Sequence, residues 1–394
     1  MRYYLISTIL FFCLAFSSQG QIRLSDQAEI HVLTCGPYQG ELYSAFGHSA
    51  IRVHDPKTGL DWLYNYGVFD FDQPNFYLNF ARGYLNYKLA VMDYSRFRDY
   101  YIYHNRYIHE QVLNLNKEQK QEFFNFLQWN SEPENQYYYY DYFYDNCATR
   151  VRDALIKTFD GNVEFDGSYI DTDYTIRDLT DIYLKHQPWG DLGIDICLGL
   201  PMDKKATPFM YMFLPDYIES AFNHATIKTD SGNVPLVKNT IITYSQRDEE
   251  IPSSILTPLN AFGVLFVIIL FITIYGWKKN KAFKGIDMVF FIGIGLVGTL
   301  LFVLWVATDH KAAANNLNVL WALPTHLIVG IAMLRKNKPK WLTYYFLGYS
   351  VLGALMIIFW KVLPQEMHYS LIPIVLILVV RSLFNYKLLK GQNL

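Results

Sequence analysis

The sequence predicts an α+β exported domain followed by an α-helical membrane domain of five spans. Three observations carry this: a short apolar leader, a mixed middle with few cysteines, and five apolar runs after Pro258. A chain of 394 residues is long for one compact unit, and about two to three are expected. Charged residues make up 18% and apolar residues 52%, an imbalance concentrated in the last third of the chain. The expected limits are 1–20 for the leader, 21–252 for the exported domain and 253–394 for the membrane domain. A net charge of -2 with both signs mixed gives no electrostatic reason to expect nucleic acid as a partner. Composition also excludes a disordered chain, a collagen-like fibre and a disulfide scaffold.

The leader has a cationic start at Arg2, an apolar core from Tyr4 to Phe16, and small residues at Ser18 and Gly20. That is the pattern of an export signal, either cleaved or kept as an anchor. Cys13 lies inside the apolar core, without the small residues before it that a lipidation signal needs.

The five apolar runs extend from Leu259 to Trp277, Ile286 to Val306, Leu317 to Leu334, Trp341 to Trp360 and Tyr369 to Leu388. Each is close to the roughly 20 residues that cross hydrocarbon as a helix. Lys278, Lys279, Lys281 and Lys284 follow the first run, and Arg335, Lys336, Lys338 and Lys340 follow the third. Arg381, Lys387 and Lys390 mark the tail. The positive-inside rule makes those segments cytoplasmic, so the first span enters from the side to which the exported domain is sent. His326 is the strongly polar group near a span centre, read either as a helix-to-helix hydrogen bond or as a functional group.

In the exported domain, Ile30 to Thr34, Ala50 to Val53 and Leu60 to Tyr66 read as short strands. Lys117 to Trp129 carries an apolar helical stripe capped by Asn116. Gln136 to Tyr144 is an aromatic-rich extended run, and Cys147, Val151, Leu155 and Phe159 recur at helical spacing from Asn146 onward. Aromatics dense from Trp62 to Tyr144 are expected mostly in the core, with a minority lining an acyl groove or meeting lipid head groups.

After the leader three cysteines remain, an odd number in an oxidising space. One disulfide and one free thiol are expected, with Cys35 and Cys197 as the pair and Cys147 free. Cys147 opens a predicted helix, where unpaired backbone N–H groups and the helix dipole favour a thiolate. The alternative is an inert buried thiol. Upstream, Gly47 to Val53 and Leu60 to Gly67 flank an Asp-Pro and Gly turn and should pair as a hairpin. Pairing Val53 with Leu60, Arg52 with Asp61 and Ile51 with Trp62 matches side chains best and sets Asn65 directly across from His48. A slip of two residues opposes His48 with Gly67 and His54 with Asp61, a poorer match. An Asn beside a His holds the ring as a general base requires. Cys147, His48 and Asn65 are therefore the candidate catalytic set of a thiol acyl-transfer site.

Gly47-His48-Ser49-Ala50-Ile51-Arg52-Val53 with Asn65-Tyr66-Gly67 resembles the His and Asn strands of papain-like enzymes. The His precedes the Cys, the permuted order of lecithin:retinol acyltransferase-like proteins and some NlpC-type relatives, which also open a helix with Asn-Cys. In that group's shorter hairpin the third residue would fall near Asp61. More specifically, four segments look like the Lnb family of Bacteroidota, whose members are lipoprotein N-acyltransferases. They are Tyr43-Ser44-Ala45-Phe46-Gly47-His48, Asn65-Tyr66-Gly67-Val68-Phe69-Asp70-Phe71, Asn79-Phe80-Ala81-Arg82-Gly83 and Tyr144-Asp145-Asn146-Cys147-Ala148-Thr149-Arg150. The resemblance implies a permuted papain-like fold for the exported domain. It further implies a phospholipid acyl donor and, as acceptor, the N-terminal amine of a diacylated lipoprotein.

Arg52 is read as the partner of Asp61, with lipid phosphate as the alternative. Arg82 and Arg150 are read as structural groups, with lipid phosphate binding again the sharper alternative. His104 and His109 read as surface residues. Asp171 and Asp173 lack the neighbours of a metal site, and neither a metal nor a cofactor is expected. The rival functions are a thiol hydrolase, acting on phospholipid or cell-wall peptide, and a non-catalytic lipid- or lipoprotein-binding membrane protein.

Overall fold

The structure is a computed structural model that describes residues 22–69, 72–229, 232–248 and 254–392. The leader 1–20 and the expected boundary at 252–253 lie outside the described residues. The exported part is built on strands β1 (Glu29–Cys35), β2 (His48–Asp55), β3 (Leu60–Val68), β4 (Asn86–Asp93), β5 (Ile108–Leu113) and β6 (Tyr137–Tyr139). A small sheet, β7 (Val163–Glu164), β8 (Thr226–Thr229) and β9 (Gly232–Pro235), stands apart, and β10 (Val237–Tyr244) returns to the main sheet. The main sheet is antiparallel in the order β10-β5-β1-β2-β3-β4-β6.

Its helices are α1 (Phe76–Arg82), α2 (Tyr94–Tyr103), α3 (Lys117–Asn130), α4 (Cys147–Thr158), α5 (Ile176–Leu184), α6 (Pro188–Cys197) and α7 (Pro215–His224). Successive side chains of a strand point to opposite faces, so a strand covered on both sides must be apolar throughout. On one face Ile30, Val32, Ile51, Val53 and Tyr64 pack against Phe123, Phe124 and Leu127 of α3 and Val151 and Leu155 of α4. On the other, Leu33, Cys35, Ala50 and Leu63 pack against Tyr94, Phe97 and Tyr101 of α2. The expected strands and the helices near Asn116 and Asn146 are present, together with β4, β5, β10 and α2.

The hairpin corrects the expected register. Ile51 faces Tyr64, Arg52 faces Leu63, Val53 faces Trp62 and His54 faces Asp61. The turn decides this. Asp55 is buried, its carbonyl accepts the Gly59 N–H at 3.0 Å, and its carboxylate accepts the N–H groups of Lys57 at 3.0 Å and Ser25 at 2.8 Å. Those bonds commit Asp55 to face Leu60 and carry the whole ladder two residues along. Arg52 still reaches Asp61, diagonally across the ladder, with two bonds of 2.6 and 2.9 Å.

Beyond Thr257 the chain is helical: α8 (Pro258–Lys279), α9 (Lys284–Ala307), α10 (Thr325–Ala332), α11 (Trp341–Ile358) and α12 (Ile372–Gln392). Among the described residues four of the apolar segments are helices long enough to cross a membrane. The third expected span, Leu317 to Leu334, is a shorter apolar segment, a 3-10 turn at Leu317–Leu320 that leads after a break into α10. Pro324 at the break cannot donate a backbone bond, and Asn316 and Asn318 turn their side chains to backbone groups. The broken segment lies close along α9, where a methyl group on Gly298 would sit 1.6 Å from the Ala322 carbonyl oxygen.

Arg381 also departs from expectation. It is fully buried, not a loop cation, and bonds both oxygens of Asp287 at 2.5 and 2.7 Å and the Thr273 hydroxyl at 2.9 Å, tying α8, α9 and α12 together. His326 shares its Nδ1 with the Tyr345 hydroxyl at 2.8 Å, a bond between α10 and α11.

A polar seam joins the exported part to the outer loops of the helical part. The Gly199 N–H donates to the Ala312 carbonyl at 2.8 Å, Asn316 Nδ2 to the Ile196 carbonyl at 2.7 Å, and Gln365 Nε2 to the Leu198 carbonyl at 3.0 Å. His368 meets Asp191 at 3.3 Å, and buried Arg177 braces Asp195 at 2.7 Å and Asp203 at 2.9 Å behind the seam. A methyl on Gly199 would fall 2.0 Å from the Ala314 carbonyl oxygen, so only glycine permits this approach.

Candidate active site

Cys147 is the first residue of α4, and the reason is local. Asn146 accepts the Thr149 N–H at 2.9 Å while Thr149 Oγ1 accepts the Asn146 N–H at 2.8 Å, a reciprocal box that satisfies two orphan donors. The Asn146 amide also donates to the carbonyls of Tyr142 and Phe213, both at 2.8 Å, which locks the start of the helix to the preceding loop. The thiol that follows therefore sits on a rigid support.

His48 opens β2, and its Nε2 lies 2.6 Å from Asn65 Oδ1 on β3. A carbonyl oxygen only accepts, so Nε2 carries the proton and Nδ1 is left as the acceptor. The pair survives the register correction because Asn65 reaches His48 diagonally. The ring rests among Phe97 and Tyr101, with centroids at 6.1 and 6.5 Å.

The electrostatics join His48 to Cys147. Burial pushes the Cys147 thiol up, but the His48 charge and hydrogen bond, with the N–H groups of Ser49 and Ala148, outweigh it and bring the thiol below its ordinary value. Burial likewise presses His48 down, and the Cys147 thiolate and Asn65 reverse this, so the imidazole ends above its ordinary value. The two shifts describe one coupled group, in which the thiolate and the imidazolium favour each other.

The expected disulfide is absent. Cys35, Cys147 and Cys197 are all free thiols. Cys35 is enclosed between β1 and α2 with burial pushing its thiol up, while Cys197 ends α6 at the membrane seam.

The three arginines part company. Arg52 is held by Asp61, by Glu110 at 2.9 Å and by the Tyr94 ring 3.7 Å from its guanidinium carbon, so it braces the sheet. Arg150 forms a two-bond pair with Asp145 and lies over the Tyr138 ring at 4.0 Å. Arg82 is exposed, over the Tyr84 ring at 4.9 Å, and its carbonyl accepts the Asp309 N–H at 3.0 Å. His109 is half-buried and bonds Glu219 at 3.1 Å. Asp173 pairs with Lys205.

Two groups near the thiol escaped sequence reasoning. Gly67 has φ +87°, and a methyl there would lie 3.7 Å from Cys147 Cβ, 3.7 Å from the Tyr140 ring and 4.0 Å from the Tyr138 hydroxyl. That hydroxyl is buried with no hydrogen-bond partner among the described residues. Nothing singles Tyr138 out within the run Tyr137-Tyr138-Tyr139-Tyr140. Arg106, buried over the Tyr101 ring at 4.2 Å, presses the His48 pKa down through its charge.

A membrane protein with an exported sheet domain and a thiol–imidazole–amide set on that domain is the class this arrangement defines. The family model of the Lnb N-terminal periplasmic domain matches residues 21–181, and that of the Lnb transmembrane domain matches residues 250–392. The chain belongs to the Lnb family, as a multi-pass membrane protein with a periplasmic N-terminal domain. No curated protein and no solved structure matches it.

Proposed function

We propose that this protein is a lipoprotein N-acyltransferase working through a Cys147 thioester, on an exported domain of permuted papain-like design. The observation that carries the reading is the thiol of Cys147 paired with a His48 ring whose far nitrogen is held by Asn65. The thiolate attacks the ester carbonyl of a phospholipid acyl chain. The developing oxyanion is held by backbone N–H groups at the start of α4, including that of Cys147, with the Tyr138 hydroxyl as a further donor. The tetrahedral adduct collapses, His48 protonates the leaving alkoxide, and lysophospholipid departs. His48 then takes the proton of the incoming amine as it attacks the thioester, which gives the amide and frees the thiol.

The acceptor is the N-terminal amine of a diacylglyceryl-cysteine lipoprotein. Family membership and the confinement of both substrates to one bilayer support this, since shared orientation lowers the cost of encounter. Export through a leader at 1–20 and a cytoplasmic C-terminus belong to the same reading. The outer ends of α9 and α11 both lead into loops that meet the exported part, in accord with that topology. Arg82, exposed at the end of α1, is assigned to the lipid phosphate, and Arg52 and Arg150, each already paired with a carboxylate, to bracing the site.

The test is incubation of purified protein with labelled phospholipid, followed by mass analysis of Cys147. An acyl adduct that persists until an amine acceptor is added is the expected result. An adduct that water clears at once identifies a hydrolase, and no adduct at all leaves the non-catalytic reading.

A further inference from the structure

Helix α1 places an apolar surface where a soluble domain would hide one. None of its residues is buried, and Tyr77, Leu78 and Phe80 are 80%, 57% and 51% exposed. Its position is set by the membrane part. The Asp309 N–H donates to the Arg82 carbonyl at 3.0 Å, and Gly83 packs against Asp309 and His310, two and three residues beyond the end of α9. A helix tied to the outer end of a span lies at the height of the bilayer surface. Aromatic and leucine side chains with an arginine at the last turn suit that boundary, where rings and guanidinium stems straddle oil and water.

From α1 a run of rings leads inward. Phe80 meets Phe76 at 6.2 Å, Phe76 meets Phe69 at 6.4 Å, Phe69 meets Tyr87 at 5.0 Å and Tyr87 meets Tyr140 at 4.4 Å. The Tyr140 ring flanks Gly67, whose other neighbour is Cys147. Asp141, in the loop that leads into α4, is near enough to act on the His310 charge.

We propose that α1 dips into the outer leaflet and that the ring run guides one phospholipid acyl chain from the bilayer to Cys147. The second half rests on the thioester reading above; the first does not. Full-length protein is reconstituted in phosphatidylethanolamine–phosphatidylglycerol vesicles with a benzophenone side chain at Leu78 or, separately, at Thr58, at the far end of the β2–β3 hairpin. Lipid crosslinks at position 78 and none at 58 are expected; no lipid adduct at 78, or equal yield at both, overturns the insertion. Leu78→Asp with Phe80→Asp is then expected to slow acylation of Cys147 from these vesicles by roughly tenfold or more, through lost apolar contact. Alkylation of Cys147 by iodoacetamide should keep its rate. Acylation from vesicles at the unaltered rate overturns the path. Wild-type protein that never acylates sinks the enzyme reading while the crosslink still judges α1 alone.

Discussion

The Cys147 end of the sheet and the seam are both buried and polar, yet they are finished differently. At the seam the side chains are fully engaged: Gln365 donates across to the Leu198 carbonyl at 3.0 Å and, within the helical part, accepts the Leu317 N–H at 2.6 Å and donates to Asn316 Oδ1 at 3.2 Å. Near Cys147, the Tyr138 hydroxyl is buried and unpartnered among the described residues, while at the seam Asp191 Oδ1 is left open but its other oxygen meets His368. A buried donor without a partner costs about 1–3 kcal/mol, and under the proposed mechanism the oxyanion would supply the missing partner. The seam spends its polar groups on position, and the site holds one in reserve.

The largest effect that tests this contrast is removal of the pair itself. Cys147→Ala is expected to abolish adduct formation. His48→Ala should lower it by about 10²–10⁴-fold, the range for loss of a general base. Neither change should loosen the seam, which limited proteolysis between the two parts reads directly. Activity that survives Cys147→Ala returns the protein to the binding class.

Tyr138→Phe comes next. If its hydroxyl meets the oxyanion, turnover should fall by roughly 10²-fold, as for other single oxyanion donors. The melting temperature should hold or rise, because an unsatisfied buried hydroxyl has been deleted. A loss of stability without a loss of rate would make Tyr138 a packing residue.

Asn65→Ala is expected to cost about tenfold and to reshape the pH profile, within the range of orienting groups for a general base. The sign follows from the two shifts. The Cys147 thiol lies below its ordinary value of 9.0, so the thiolate is present above that lowered pKa and is lost on acidification. His48 lies above its ordinary 6.5, so the imidazolium persists to higher pH than a free His and is lost on alkalinisation. Asn65 is one of the groups that raise His48. Without it the basic limb should move to lower pH, and the weaker cation should move the acid limb up. A bell-shaped rate of Cys147 acylation, which needs the thiolate as nucleophile and the imidazolium as proton donor, is expected to narrow from both sides; an unchanged bell leaves Asn65 without an orienting role.

Much of the site was legible because its rules are local. Asn-Cys before a helical stripe implies a capped thiol, and a short turn between two strands keeps His48 and Asn65 on one face and in reach under either of the two registers weighed. The register itself was misjudged because opposite charges were matched directly across, whereas the arginine side chain is long enough to pair Arg52 with Asp61 diagonally. What fails is what depends on distant residues. Arg381 reads as a tail cation until Asp287, ninety-four positions away, is seen beside it. Tyr138 is indistinguishable from its neighbours until Gly67 clears space next to it. The broken third span needed α9 glycines to be visible as a close packing partner.

The smallest effect on chemistry is expected at the seam, and it is the sharpest test of the contrast. Gln365→Leu keeps the volume roughly while removing one acceptor and two donors. It leaves the Leu317 N–H without its partner in a buried place, while the Leu198 carbonyl keeps Arg177 and Asn316 Oδ1 keeps the Asn318 N–H. The expected loss is about 1–3 kcal/mol of docking stability, seen as earlier proteolysis between the parts. The alkylation rate of Cys147 should stay within about twofold, because α4 is capped by Asn146 and Thr149 inside the exported domain and takes no support from Gln365. Acylation from vesicles should fall further than alkylation, since it alone needs the thiol held at a fixed height over the lipid. Equal losses in both rates would mean that the seam shapes the site itself, and the division drawn here between position and chemistry would fail.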